Sequence, residues 1–194
     1  MNKPQGFDET EVFTDYKKLP KGGYICRIVK LEETVSKNGN DMIAVYLDIA
    51  DGEFKDYYRE KYQNDTRIDR KWGCVYRQVV LDSTTGQTSK GFKGFITSVE
   101  ESNSGFVTAK IWGNDFTKHF KDKYVGCIFI DEHYTDQDGK PRTIAKPNRI
   151  CSIQKIKSGD FKIPDDKYQD KSATTGWSLD FTETYNASDD DLPF

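Results

Sequence analysis

The 194-residue chain has no long apolar run, no CxxC pair and only two histidines. The first absence excludes a membrane-spanning helix. The opening "MNKPQGFDET" carries no apolar stretch of the kind a secretory leader needs, so the expectation is a cytosolic protein. The four cysteines, Cys26, Cys74, Cys127 and Cys151, lie far apart, and neither His119 nor His133 stands at a useful spacing from them. Three of the four sit in apolar, strand-like runs, where a reduced cysteine packs as a small hydrophobe. Neither a metal nor a cofactor is therefore expected. Phosphate-cradling glycine loops, HExxH and GxSxG are all missing. Carboxylate pairs do occur, at Glu32-Glu33, Glu100-Glu101 and Asp165-Asp166, and in so charged a chain they read as solvated faces. An enzyme is the least supported class, although a triad assembled from distant segments stays open.

Charge and aromatic rings are abundant. Charged residues make up 31% of the chain and the mean hydropathy is −0.80, which calls for a small core and some disordered chain. Twelve Phe, eleven Tyr and three Trp exceed what a small core needs. The net charge of −3 is unevenly spread. From Ser158 to Phe194 there are nine acids against three lysines, a net −6, which leaves residues 1–157 at +3. A mildly basic body and an acidic tail suggest an anionic partner for the first and a separate role for the second.

Three segments follow from the pattern: a loose N-terminal arm over 1–20, a body over 21–157, and a flexible acidic tail over 158–194. In the body, Asn38-Gly39 between two β-rich runs predicts a hairpin. The second run alternates Ile43, Val45, Leu47 and Ile49 with Met42, Ala44, Tyr46 and Asp48, predicting one core face and one open face that carries Tyr46. The first run changes phase between Ile28 and Val29, which predicts a bulge or bend. "EFKDYYREKYQ" fits a strand with Lys55, Tyr57, Arg59 and Lys61 on one face, or a helix aligning Phe54, Tyr58 and Tyr62; after the tight "ADGE" turn the strand is expected. Residues 63–123 read as a long connection. It holds a helix capped near Ser89, with Phe92, Phe95, Ile96 and Val99 inward, then a short strand at "FVTAKIWG" and a helical turn capped by Asn114. Asp138-Gly139 predicts a second hairpin, whose returning strand must be an edge or bulged around Pro147. The sum is an all-β body of about five strands with a helix-bearing insertion between the third and fourth. That is the order of an OB-fold five-stranded barrel.

A binder of single-stranded DNA needs cations along a groove and rings on which bases stack. "YYREKYQNDTRIDRKW" interleaves the two. Arg27 interrupts an apolar run and is expected off the core. Lys37 marks a hairpin tip. With the binding face of an OB barrel centred on strands two and three, the candidate contacts are Arg27, Lys37, Tyr46, Tyr57, Arg59, Lys61, Trp72, Lys140 and Arg142. Trp72 serves equally well as a core residue, and Lys140 beside a turn as plain surface.

The final six residues, "DDDLPF", resemble the acidic tip of bacterial single-stranded DNA-binding proteins. "YICRIVKLEETVSKNGNDMIAVYLDIADGEFKDYY" and "GFKGFITSVEESN" resemble a family of phage or prophage single-stranded DNA-binding proteins from Gram-positive hosts, in which a strand precedes "SKxGNDM". The resemblance covers most of residues 20–155. It implies an OB-fold, sequence-nonspecific single-stranded DNA binding in phage replication, recombination or repair, and residence in the bacterial host cytoplasm. For the tip it implies that Phe194, Pro193 and Leu192 anchor in a partner's apolar pocket while Asp189, Asp190 and Asp191 steer to its basic rim. The partners would be replication and recombination proteins such as primase, helicase or nuclease. Two other readings compete: a protein-interaction β-barrel that binds no DNA, and a strand-annealing recombination mediator.

Overall fold

In the computed structural model, residues 3–5, 7–8, 17–136 and 138–169 are described. Two long strands open the fold, β1 (Gly22–Val35) and β2 (Asp41–Ile49), paired antiparallel. Gly39 takes φ +77° at the tip, where its N–H donates to the Ser36 carbonyl at 2.9 Å. That left-handed conformation costs a glycine little, so Asn38-Gly39 turns the chain as expected. The ladder slips between Ile28 and Lys30, the bulge foreshadowed by the change of phase. The bulge divides the work of β1. Gly22–Arg27 pair with β4 (Tyr124–Thr135), and Cys26–Val35 pair with β2.

The remaining strands are β3 (Val75–Val79), β5 (Pro141–Cys151) and the short β6 (Lys167–Tyr168). The order is β3-β2-β1-β4-β5, antiparallel throughout, with β6 added parallel to β4 at Glu132 and His133. No ladder joins β3 to β5 among the described residues, so this mainly β fold is an open sheet. The second hairpin turns at residues 136–140, and β5 is bulged at Asn148, beside Pro147. A proline cannot donate to a ladder, and an edge strand with a bulge accommodates it.

Alternation sends Ile43, Val45 and Leu47 of β2 to the same side as Ile28 and Leu31 of β1, where they are buried. Val125, Cys127 and Phe129 of β4 join them. The helix α2 (Lys90–Ser102) packs on this core through Phe92, Phe95, Ile96 and Val99, as its spacing predicts. Phe95 stacks on Phe120 at 5.6 Å.

Three local expectations are corrected. Residues 57–63 form helix α1 (Tyr57–Gln63), not a strand. The four-residue spacing of Phe54, Tyr58 and Tyr62 prevails, because it places Tyr58 and Tyr62 together in the core, with Tyr58 stacked 6.3 Å from Phe129. The third strand is instead β3, inside the segment read as a connection, so α2 still lies between the third and fourth strands. At "FVTAKIWG" the chain makes a 3₁₀ turn, Thr108–Lys110, fastened by Glu100, which accepts from the Thr108 N–H at 2.8 Å. The turn expected after Asn114 is a 3₁₀ segment, Phe116–Phe120, preceded by Asp115 rather than capped by Asn114.

Packing also runs past the expected boundary at residue 157. The helix α3 (Ile153–Ser158) lies against β1 and β4 where these carry Gly23 and Gly126; a Cβ at Gly126 would come within 2.8 Å of the Ser152 carbonyl oxygen. Phe161 covers Gly23, and Lys21 holds Asp166 at 2.8 Å just before β6. A two-residue strand gives no alternation to detect, which is why this part reads as linker in the sequence. No helix among the described residues is long and apolar enough to cross a membrane.

Candidate functional site

The start of α1 gathers side chains from three parts of the chain. Asp56, immediately before the helix, forms ion pairs with Arg27 of β1 at 3.7 Å and Arg59 of α1 at 3.6 Å. Its φ of 57° is unusual for a residue with a Cβ, though less so for Asp than for most. Beside it, Tyr57 is half-buried, with its ring edge-on to Phe54 at 6.0 Å and to Tyr58 at 5.0 Å. Lys61, one turn along α1, lies 5.8 Å from the Tyr57 ring. Lys17 lies 5.5 Å from the Phe54 ring and pairs with Glu53. Tyr24 extends the aromatic group at 6.2 Å from Phe54.

A buried carboxylate fixes this corner. Asp48 of β2 accepts the Ile49 N–H at 2.9 Å and the Tyr58 N–H at 3.0 Å through Oδ1, tying α1 to the sheet. Burial pushes its pKa up, while the two N–H groups and Arg27 pull it down. Arg27 stands opposite Asp48 in the β1–β2 ladder and acts on the buried carboxylate through its charge, while its guanidinium pairs with Asp56.

Four expected contacts, Arg27, Tyr57, Arg59 and Lys61, therefore come together. Two others do not join them: for Tyr46 the expected exposure is corrected, and for Trp72 the core alternative holds. Tyr46 does not lie on an open face: it is 5% exposed, and its hydroxyl donates to Glu32 at 2.8 Å. β2 is a central strand, and the outward side of Tyr46 and Ala44 is flanked by the long side chains of Lys30 and Glu32 on β1 and Arg77 on β3. Trp72 is core, 7% exposed, with its indole N–H donating to the Leu47 carbonyl at 2.8 Å and its ring 5.6 Å from Tyr62.

Lys37 is exposed at the β1–β2 turn, and Lys140 and Arg142 are exposed at the β4–β5 turn. Arg142 donates to Asp136 at 2.9 Å, and this ion pair holds the carboxyl below its ordinary range. Along the ladders the two turns lie beyond opposite ends of β1, so the strands do not bring them side by side. Asp189, Asp190, Asp191, Leu192, Pro193 and Phe194 lie outside the described residues.

Phe54, Tyr24, Asp56 and Lys17 were missed by sequence reasoning. The signal was available: the helical reading of 54–62 sets Tyr57 and Lys61 four residues apart on one face and aims Phe54 inward. The four cysteines are free and buried. Burial raises the Cys74 and Cys127 thiols well above their ordinary range, which disfavours the thiolate needed for nucleophilic or ligand chemistry. No cluster that could hold a metal ion occurs among the described residues.

A family model described as "Protein of unknown function (DUF669)" matches residues 5–83. The match takes in β1, β2, α1 and β3, hence the whole Arg27–Asp56–Arg59 corner, and ends before α2. No curated protein matches the chain.

Proposed function

We propose that this protein binds single-stranded DNA without sequence preference, in phage-type replication or recombination, and that its acidic C-terminal tip recruits partner enzymes. The observation that carries the reading is the convergence of Arg27, Tyr57, Arg59 and Lys61 on one corner of the sheet. Asp56 and the buried Asp48 stand against the three cations, which leaves a corner of small net positive charge with aromatic rings among the charges. Cations for phosphates and rings for bases are the two ingredients of a single-strand groove.

The finer fold reading is an OB-type barrel open at one seam. It is supported by a bulged first strand shared between β2 and β4, by the β4–β5 hairpin, and by α2 between β3 and β4. The DNA-binding reading also draws on the resemblance of "SKNGNDM" and "DDDLPF" to the phage and bacterial families.

The test is anisotropy of a labelled oligo-dT with the full chain, with duplex DNA as control. Single-strand binding that weakens with salt is expected. Tyr57→Ala with Lys61→Gln should weaken it by about 5- to 150-fold, the worth of one stacked base at about 1–3 kcal/mol. A flat titration with the unaltered chain would sink the reading and favour a protein-binding module.

A further inference from the structure

An open groove of about 720 Å³ runs between α2, the end of β5 and α3, away from the Arg27–Asp56–Arg59 corner. Its lining carries five cations: Lys90 and Lys93 from α2, Arg149 from β5, Lys155 from α3, and Lys162. Only two acids, Glu101 and Asp160, line it with them. Among the described residues none of the five cations forms an ion pair, whereas Arg27, Lys30, Arg67 and Arg142 each have a carboxylate partner within 4.0 Å. Five cations without a carboxylate partner thus share one groove.

The rest of the lining narrows the ligand. Thr88 and Thr97 add hydroxyls to the lining, the buried Ser98 hydroxyl being taken up by the Gly94 carbonyl at 2.7 Å, and Gly94 opens one wall, since a Cβ there would meet nothing. Lys, Arg, Ser and Thr side chains are the usual partners of a sugar–phosphate backbone. Phe161 is the one aromatic ring in the lining, so the groove offers little for base stacking. Its walls are tied together. The Ser102 hydroxyl of α2 accepts the Ile153 N–H of α3 at 3.0 Å, and Gln154 donates to the Glu101 carbonyl at 3.2 Å.

We infer that this groove is a second nucleic-acid contact, a track for the phosphates of a single strand that passes between α2 and α3. The inference rests on the single-strand binding proposed above and adds a site to it. Its contacts are ionic and sequence-blind. They contribute mainly to the salt dependence of binding and not to base stacking.

The experiment uses the full chain, fluorescein-labelled oligo-dT and a salt series. Lys93→Gln with Arg149→Gln alters two exposed side chains that bond to nothing else among the described residues. Weaker binding is expected, with the log–log salt slope shallower by about 1.4, at about 0.7 per lost phosphate contact. The charge-keeping pair Lys93→Arg with Arg149→Lys should keep the slope. If the unaltered chain binds and the Gln pair matches it in affinity and slope, the groove inference is wrong while the proposed function stands. If the Gln pair weakens binding and Tyr57→Ala with Lys61→Gln does not, the groove is the main site and the α1 corner is not. If the unaltered chain binds no oligo-dT, both readings fail. Binding of labelled polyglutamate in its place, lost in the Gln pair, would make the groove a dock for an acidic protein.

Discussion

Asp48 shows how one residue ties the fold to the candidate site. Its Oδ1 accepts two backbone N–H groups, but its Oδ2 is buried without a hydrogen-bond partner among the described residues. Burying a carboxylate disfavours the charged form, and the direction of its shift agrees. A folded pKa above the unfolded one means that the native state holds the proton more tightly. The contribution to stability is then full below the unfolded pKa and is lost as pH rises through the folded one. Asp48→Asn keeps the accepting oxygen and removes the charge. The variant is expected to match the wild type near pH 4 and to be the more stable of the two at pH 7, as read by urea unfolding at both. A variant less stable at pH 7 would mean that Arg27 more than offsets the cost of burying the charge. The sequence gives little warning of this residue. Asp48 falls on the polar phase of an alternating strand, and so does Tyr46. Both are buried because β2 has strands on either side and because α1 and long neighbouring side chains cover its outward face. Alternation reports which face a residue shares; what later covers that face comes from distant parts of the chain.

At the scale of elements, the helix α2 is the case where local chemistry and packing agree. Ser89 accepts the Phe92 N–H at 3.1 Å and donates to the Val79 carbonyl at 2.6 Å, so one hydroxyl caps α2 and fastens it to β3. Ser89→Ala removes both bonds and should cost about 1–2 kcal/mol, measured as a lower urea midpoint with an unchanged slope. A loss within error would show that the Gln78 amide, 3.4 Å from the same hydroxyl, takes over its role. Both hairpins, the bulge in β1 and the cap and inward face of α2 were legible, because each is fixed by residues a few positions apart. α1 was not. Its segment satisfies two periods at once, and the choice was made by a core able to receive Tyr58 and Tyr62. The docking of Phe161 depends on Gly23, more than a hundred residues earlier, and that of β6 on the free edge of β4, 35 residues earlier, and no local pattern announces either.

The whole molecule is divided by charge. Residues 170–194 hold six acids and one lysine, so without them the net charge passes from −3 to +2. A polyanion approaching the α1 corner or the α2–α3 groove meets that tail charge as long-range repulsion, screened over about 8 Å at physiological salt. If single-strand binding holds, a chain ending at residue 169 should bind oligo-dT severalfold more tightly at low salt. The advantage should shrink as salt rises, because the cationic side chains that make the contacts are the same in both chains. Anisotropy titrations of the two chains over one salt series would show this as converging lines. Parallel lines would mean that residues 170–194 affect binding by some route other than their charge. A weaker truncated chain would mean that they contribute to the DNA contact. Converging lines would make tempering of non-specific binding by charge one role of the tail, separable from the partner recruitment proposed for its tip. The first depends on the number of acids, the second on the order Leu192-Pro193-Phe194. Scrambling the last three residues at constant charge should therefore leave the salt series unchanged.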